Sequence, residues 1–238
     1  MKIEVLGTGS SGNCYKVKIG KATLLLECGL PYKVIQKKLN FKISEIDACL
    51  VTHEHMDHAK AIKDLMKAGV DCYMTKGTAE ALGINGHRLK TFRPFEKARY
   101  YSEVLKNLII VPFEAVHDVA EPVSYFIKTR DDKESLVFVT DTAYLKYKIP
   151  ECDVLMIECN YVKAKLDENV RLGNINTNLR NRIVKNHLSL ESLVEALRAA
   201  SLDRCKKIYL LHLSDGNSDE KLIKRTIQER TGIEVVVC

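Results

Sequence analysis

Apolar and polar positions alternate through the first part of the chain. "KIEVL" (2–6), "NCYKVKIG" (13–20) and "KATLLLECG" (21–29) each read as a strand, with Gly20-Lys21 at a turn. After Pro31 the period lengthens to that of a helix, with Val34, Ile35 and Leu39 on one face. "DACLVT" (47–52) reads as a buried strand. Residues 58–68 are then expected to form one helix carrying Ile62, Leu65 and Met66, stopped by Gly69. A strand at "DCYM" (71–74), a short helix over 78–82 and a basic loop, "GHRLKTFRPFEKARYY" (86–101), come next.

Four further runs read as strands: "NLIIVPF", "VSYFIKT", "SLVFVTD" and "DVLMIE". Residues 162–200 read as helical, interrupted at Gly173 and "GNINTN". "KIYLLHLS" is a strand, 218–231 a helix and "IEVVV" a last strand. No internal repeat or linker interrupts this order. The expectation is a single α/β domain, residues 1–238, with mixed sheets rather than a doubly wound parallel sheet.

Composition narrows the class. The 238 residues are 46% hydrophobic and 29% charged, and the charges are spread through every stretch. No run reaches the roughly 18 apolar residues of a membrane span. The N-terminal apolar run is too short for an export signal, so the expected location is the cytoplasm. Eight cysteines occur without a C-x-x-C pair and are expected to be mostly buried free thiols rather than zinc ligands. The net charge of +6 permits a polyanionic partner.

"GTGSSG" (7–12) matches the dinucleotide fingerprint G-x-G-x-x-G. That fingerprint works only where a helix follows, because the helix N-terminus holds the pyrophosphate. Here "NCYKVKIG" follows, with strand alternation. The glycines are expected to form a tight loop whose Ser and Asn side chains can face a site.

The chemistry concentrates at "VTHEHMDH" (51–58), where His53, His55, Asp57 and His58 form H-x-H-x-D-H. Four such polar side chains at a strand-to-helix junction need partners that packing does not supply. In an extended segment residues 53 and 55 point to one side and can converge on one ion, and the next turn can aim Asp57 and His58 at a second position. Nitrogen and carboxylate ligands suit zinc, manganese or iron.

With His117 in "PFEAVHDVAEP", Asp141 in "LVFVTDT" and His212 in "YLLHLS", this motif resembles the metallo-β-lactamase-fold hydrolases. The resemblance implies a four-layer αββα sandwich, two mixed sheets flanked by helices. It implies two divalent ions, Zn²⁺ or Mn²⁺: one held by His53, His55 and His117, the other by Asp57, His58 and His212, with Asp141 bridging. Asp57 would also manage the proton of the attacking water. A histidine at position 55, where diiron members of the superfamily carry a carboxylate, favours hydrolysis over oxygen chemistry. The 71 residues from Asp141 to His212 leave no room for the inserted domain of the β-CASP nucleases.

Shorter phrases narrow the resemblance: "GSSGN", "HDVAEPVSY", "IECNY", "HLSLE" and "HLSDGN" are similar to the YycJ/WalJ-like group, associated with metal-dependent 5′-to-3′ exonuclease activity on DNA. The chain departs from that pattern at Tyr161-Val162, where His-Asp is expected, and at Glu27, where Asp is expected. His187 opens "HLSLE", ahead of an amphipathic helix with Ser189 as expected N-cap, and is the candidate to bind the scissile phosphate or protonate the leaving oxygen. His87 reads as a loop residue.

Basic residues near Arg88, Lys90 and Arg93, and near Arg180, Arg182 and Lys185, can meet phosphates, and Phe92, Tyr100 and Tyr161 can stack on bases. The expected partner is therefore nucleic acid, most simply DNA, and no pattern points to a membrane or a protein partner. Two rival readings are a small-molecule metallohydrolase (cyclic nucleotide, phosphonate, lactone or thioester) and a non-catalytic metal-bearing binding module.

Overall fold

A computed structural model describes residues 1–95 and 105–238. Tyr100 and the end of the basic loop lie outside the described residues. The chain divides into two compact units: residues 1–114 with 119–135, and residues 115–118 with 136–238.

In the first unit six strands form one mixed sheet in sequence order: β1 (Lys2–Gly7), β2 (Cys14–Ile19), β3 (Ala22–Leu26), β4 (Ala48–Leu50), β5 (Asp71–Thr75) and β6 (Leu89–Phe92). The short turn at Gly20, whose φ is 54°, makes β2 and β3 antiparallel. From β3 onward each neighbour is parallel, because a helical crossover or a long connection intervenes. Helix α1 (Tyr32–Lys38) buries Ile35, and Leu39 follows it into the same core. Leu25, Cys49, Cys72 and Met74 supply the sheet side of that core. Each leucine, isoleucine or methionine among them contributes about 1.5–3 kcal/mol by leaving water. β7 (Leu108–Glu114) and β8 (Val123–Thr129) form an antiparallel pair in the same unit.

The expected single helix over 58–68 is two: α2 (Met56–Ala59) and α3 (Ile62–Lys67). The cause is competition for backbone hydrogen bonds. The Asp57 carbonyl accepts from Asn13 N at 2.7 Å, the His58 carbonyl accepts from Cys28 N at 2.7 Å, and Ala61 N donates to Cys28 O at 2.9 Å. Loops from two other parts of the chain thus take the groups that a continuous helix would pair internally. α4 starts earlier than expected, at Lys76, capped by the Thr75 hydroxyl. The basic loop contains the short strand β6, and His87 lies in the loop before it.

The second unit carries four parallel strands in the order β12-β11-β10-β9: β9 (Ser135–Val139), β10 (Val154–Glu158), β11 (Lys207–Leu211) and β12 (Glu234–Val237). Its helices are α5 (Lys163–Arg171), α6 (Thr177–Asn186), α7 (Leu190–Ala199) and α8 (Glu220–Thr231). Ser189 caps α7 as expected, accepting from Ser192 N at 3.1 Å. Leu193 and Leu197 of α7 and Ile223 and Ile227 of α8 are buried. No helix among the described residues is long and apolar enough to cross a membrane. All eight cysteines are free, and seven of them are buried.

Candidate metal centre

In the first unit the H-x-H-x-D-H residues sit where β4 gives way to α2. His53 Nε2 and His55 Nδ1 are 3.2 Å apart. Two imidazole nitrogens bound to one tetrahedral ion at about 2.0–2.1 Å stand about 3.3 Å apart, so this spacing fits a shared ion. The Thr52 hydroxyl lies 2.9 Å from His53 Nδ1 and fixes the ring's orientation. His58 is fully buried, with Nε2 at 3.4 Å from Asp57 Oδ2 and 3.1 Å from Asn13 Nδ2. Its other nitrogen, Nδ1, faces Glu27 Oε2 at 3.7 Å. A proton on Nδ1 toward that carboxylate leaves the Nε2 lone pair to accept from the Asn13 amide.

Glu27, the expected Asp, is buried with φ 64° and accepts from Thr52 N at 3.2 Å. Burial pushes its carboxyl above the ordinary range, although His58 and Thr52 pull the other way. At Gly29, two residues on, a Cβ would stand 1.7 Å from the Asp57 carbonyl oxygen, so any side chain there must displace the Asp57 backbone. Glu54 takes no part in the cluster: its Oε1 accepts from Ala120 N at 2.8 Å. The "GTGSSG" loop leads into β2 rather than a helix, and Asn13 Oδ1 accepts from Gly9 N at 2.9 Å.

In the second unit Asp141, Glu158, His187 and His212 each offer a ligand atom, all within 4.8 Å of one another. His212 Nδ1 donates to Asp141 Oδ1 at 2.7 Å and lies 3.2 Å from Glu158 Oε1. His187 Nδ1 donates to Glu158 Oε1 at 2.6 Å. His117 Nδ1 donates to the Asn186 carbonyl at 3.0 Å, which directs Nε2 to the other side, 3.8 Å from Asp141 Oδ2. Asp141 and His212 hold φ values of 22° and 53° at strand ends, strained conformations of the kind that concentrate at functional sites.

Electrostatics follow from burial and pairing. Burial disfavours the charged form of His212, but the Asp141 and Glu158 carboxylates outweigh it, and its pKa is pushed up to about 10. Burial acts the same way on His187, and the Glu158 carboxylate again outweighs it, holding the imidazole above its ordinary range. Glu158 is fully buried, yet the opposing charges of His187 and His212 hold its carboxyl below the ordinary range.

Of the residues singled out in the sequence, His53, His55, Asp57 and His58 are thus gathered in the first unit, and His117, Asp141, His187 and His212 in the second. Sequence reasoning gave no role to Glu158, Asn160 or Asn186. Glu158 also accepts from Leu188 N at 2.9 Å and Thr142 N at 3.2 Å. Its signal was an acid closing the apolar run "VLMIE", where an unpartnered carboxylate would be costly. Asn160 Nδ2 donates to the His212 carbonyl at 2.8 Å, and Asn186 Oδ1 accepts from Asp118 N at 3.0 Å. Expected base-stacking on Phe92 and Tyr161 is overturned, because both are buried. Tyr161 instead packs beside α7, in a parallel bridge with Ser189.

Two mixed sheets flanked by helices and a cluster of histidine and carboxylate ligands define a metallo-β-lactamase-fold, metal-dependent hydrolase. The chain belongs to the β-lactamase superfamily, whose domain model matches residues 24–213, and within it to the WalJ/YycJ-like group. It is 33% identical over 241 residues to Exodeoxyribonuclease WalJ of Streptococcus pneumoniae, covering 95% of this chain and 86% of that one. It is 27% identical over 239 residues to Exodeoxyribonuclease YycJ of Bacillus anthracis, covering 96% and 88%. The metallo-beta-lactamase fold protein YhfI of Bacillus subtilis shares the fold, with a TM-score of 0.74 at 18% identity over 99% of this chain and 95% of that one.

Proposed function

We propose that the chain, acting as one domain over residues 1–238, is a cytoplasmic nuclease that degrades DNA in the 5′-to-3′ direction with two divalent ions, Zn²⁺ or Mn²⁺. The observation that carries this reading is the His187–Glu158 pair beside Asp141 and His212. A histidine oriented through Nδ1 by a buried carboxylate, 2.6 Å away, beside residues of metal-ligand type is placed as the proton donor that departure of an alkoxide from phosphorus requires. The exodeoxyribonuclease relatives support DNA as the substrate, and the buried free thiols fit a reducing compartment.

In this proposal His53, His55 and His117 would hold one ion and Asp57, His58 and His212 the other, with Asp141 shared between the two sets. The chemistry two such ions supply when bound is acidification of water and neutralisation of phosphate charge. The protein's own groups handle the protons. Asp57, whose side chain is 26% exposed, takes the proton of the attacking water. His187, 21% exposed and held through Nδ1, gives its Nε2 proton to the departing 3′ oxygen. A bond from the water oxygen to phosphorus forms as the bond to O3′ breaks.

The test uses metal-stripped protein with Mn²⁺ or Zn²⁺ added back, offered end-labelled single- and double-stranded DNA beside bis-p-nitrophenyl phosphate. Metal-dependent shortening from the 5′ end is the expected result. Cleavage of the small diester with intact DNA moves the substrate to a small molecule. Cleavage of neither overturns the phosphodiesterase reading.

A further inference from the structure

With Phe92 and Tyr161 buried, the exposed aromatics of the second unit lie elsewhere. Tyr144 is 53% exposed and Tyr147 41% exposed, both in the segment that follows Asp141. That segment reads "DTAYLKYKIP", and Lys146 and Lys148 beside the tyrosines are exposed as well. All four of these residues are exposed, whereas Asp141, Thr142 and Ile149 of the same segment are buried.

The start of the segment is tied to the site by its backbone. Thr142 N donates to Glu158 Oε2 at 3.2 Å, and the Thr142 hydroxyl donates to the Tyr144 carbonyl at 2.8 Å. Ala143 N donates to Val116 O at 2.8 Å, one residue before His117, and Val116 N donates to Thr142 Oγ1 at 3.0 Å. Tyr144 is therefore held three residues from Asp141 by hydrogen bonds that end on the carboxylate orienting His187.

We infer that Tyr144, with Tyr147, is the platform on which a base of single-stranded DNA stacks beside the scissile phosphate, with Lys146 and Lys148 facing the backbone of the same strand. The inference rests on the nucleic-acid reading above. Exposed aromatic rings interleaved with cations are what a single strand binds without sequence preference, since every base has a π-face and every linkage a charge. A neutral small substrate would use neither, and the two lysines oppose a cationic one. Rigid attachment to the catalytic segment means that stacking also sets the register of the strand.

The experiment measures binding of single-stranded oligonucleotides to the full chain in Ca²⁺, with an abasic site moved one position at a time along the strand. Wild type is expected to lose about 5- to 150-fold in affinity when the stacked base is removed. Tyr144→Ala should lose a similar factor on the intact strand and become indifferent to the abasic site, whereas Tyr144→Phe, which keeps the ring, should behave as wild type. If wild type binds the strand and Tyr144→Ala shows the same abasic profile, this inference is overturned and the nuclease reading stands. If wild type does not bind the strand, this inference is overturned, and the nuclease reading is decided separately by the cleavage test on both forms of DNA.

Discussion

Glu158 Oε1 lies 2.6 Å from His187 Nδ1, and the same oxygen lies 3.2 Å from His212 Nδ1. One buried carboxylate therefore sets the orientation of two histidines with different tasks. Its other oxygen is fixed by Leu188 N and Thr142 N. With Nδ1–H committed to Glu158, the His187 ring donates through Nε2 only as the imidazolium, which carries a proton on each nitrogen.

Replacing His187 by Ala is expected to lower turnover on DNA by about 10²- to 10⁴-fold, the usual contribution of a positioned acid. Bis-p-nitrophenyl phosphate should suffer much less, because p-nitrophenolate departs without protonation. Steady-state rates on both substrates check this. An equal loss on both would remove His187 from the role of acid.

Gly29→Ala tests the packing that places Asp57. A Cβ would stand 1.7 Å from the Asp57 carbonyl oxygen, so the α2 backbone must move. The expected cost is about 1–3 kcal/mol of stability, with loss of metal binding as well. Thermal melting and metal content of the purified variant report the two effects. A variant with wild-type values for both would show that the loop can yield.

Metal-stripped protein should lose stability as pH rises above neutrality. His212 has a folded pKa of about 10, above its unfolded value, so its contribution is fully present below about pH 6.5 and lost as pH rises through about 10. His187, also raised, adds in the same direction. Glu158 is held low, so its contribution is present above about pH 4.5 and lost as pH falls through its folded value. Melting temperatures of stripped protein from pH 4 to 10 should therefore be highest on the acid side of neutrality, and Asp141→Asn should flatten the alkaline decline. A flat profile in the unsubstituted stripped protein would contradict the pairing.

Tyr161, which stands where the family pattern has His, is expected to act through packing. Tyr161→Ala should cost about 3–5 kcal/mol of stability, as deletion of a buried aromatic does. Tyr161→Phe should keep both fold and turnover. A large loss of turnover in the Phe variant, measured on folded protein, would point to the hydroxyl as a functional group.

The alternation in "NCYKVKIG", the continuous apolar run in "SLVFVTD" and the helix periodicity in "SLESLVEALRAA" were readable locally, because each is a property of its own element's residues. The ligand-type residues were legible for a related reason: histidine and aspartate at strand ends have few structural uses. Four features were not legible. The break between α2 and α3 depends on Asn13 and Cys28, which lie some 30 to 45 residues upstream and take backbone bonds that local propensity assigns to a helix. Glu158 looked like an ordinary strand-end acid until folding put His187 and His212 on it. The burial of Phe92 and Tyr161 and the exposure of Tyr144 were equally invisible, since an aromatic ring suits a core as well as a binding face. Sequence by itself determined the elements and the inventory of chemistry. Tertiary structure decided which polar groups meet in a dry interior, because pairing across distant segments, not local pattern, settles where a buried charge is affordable.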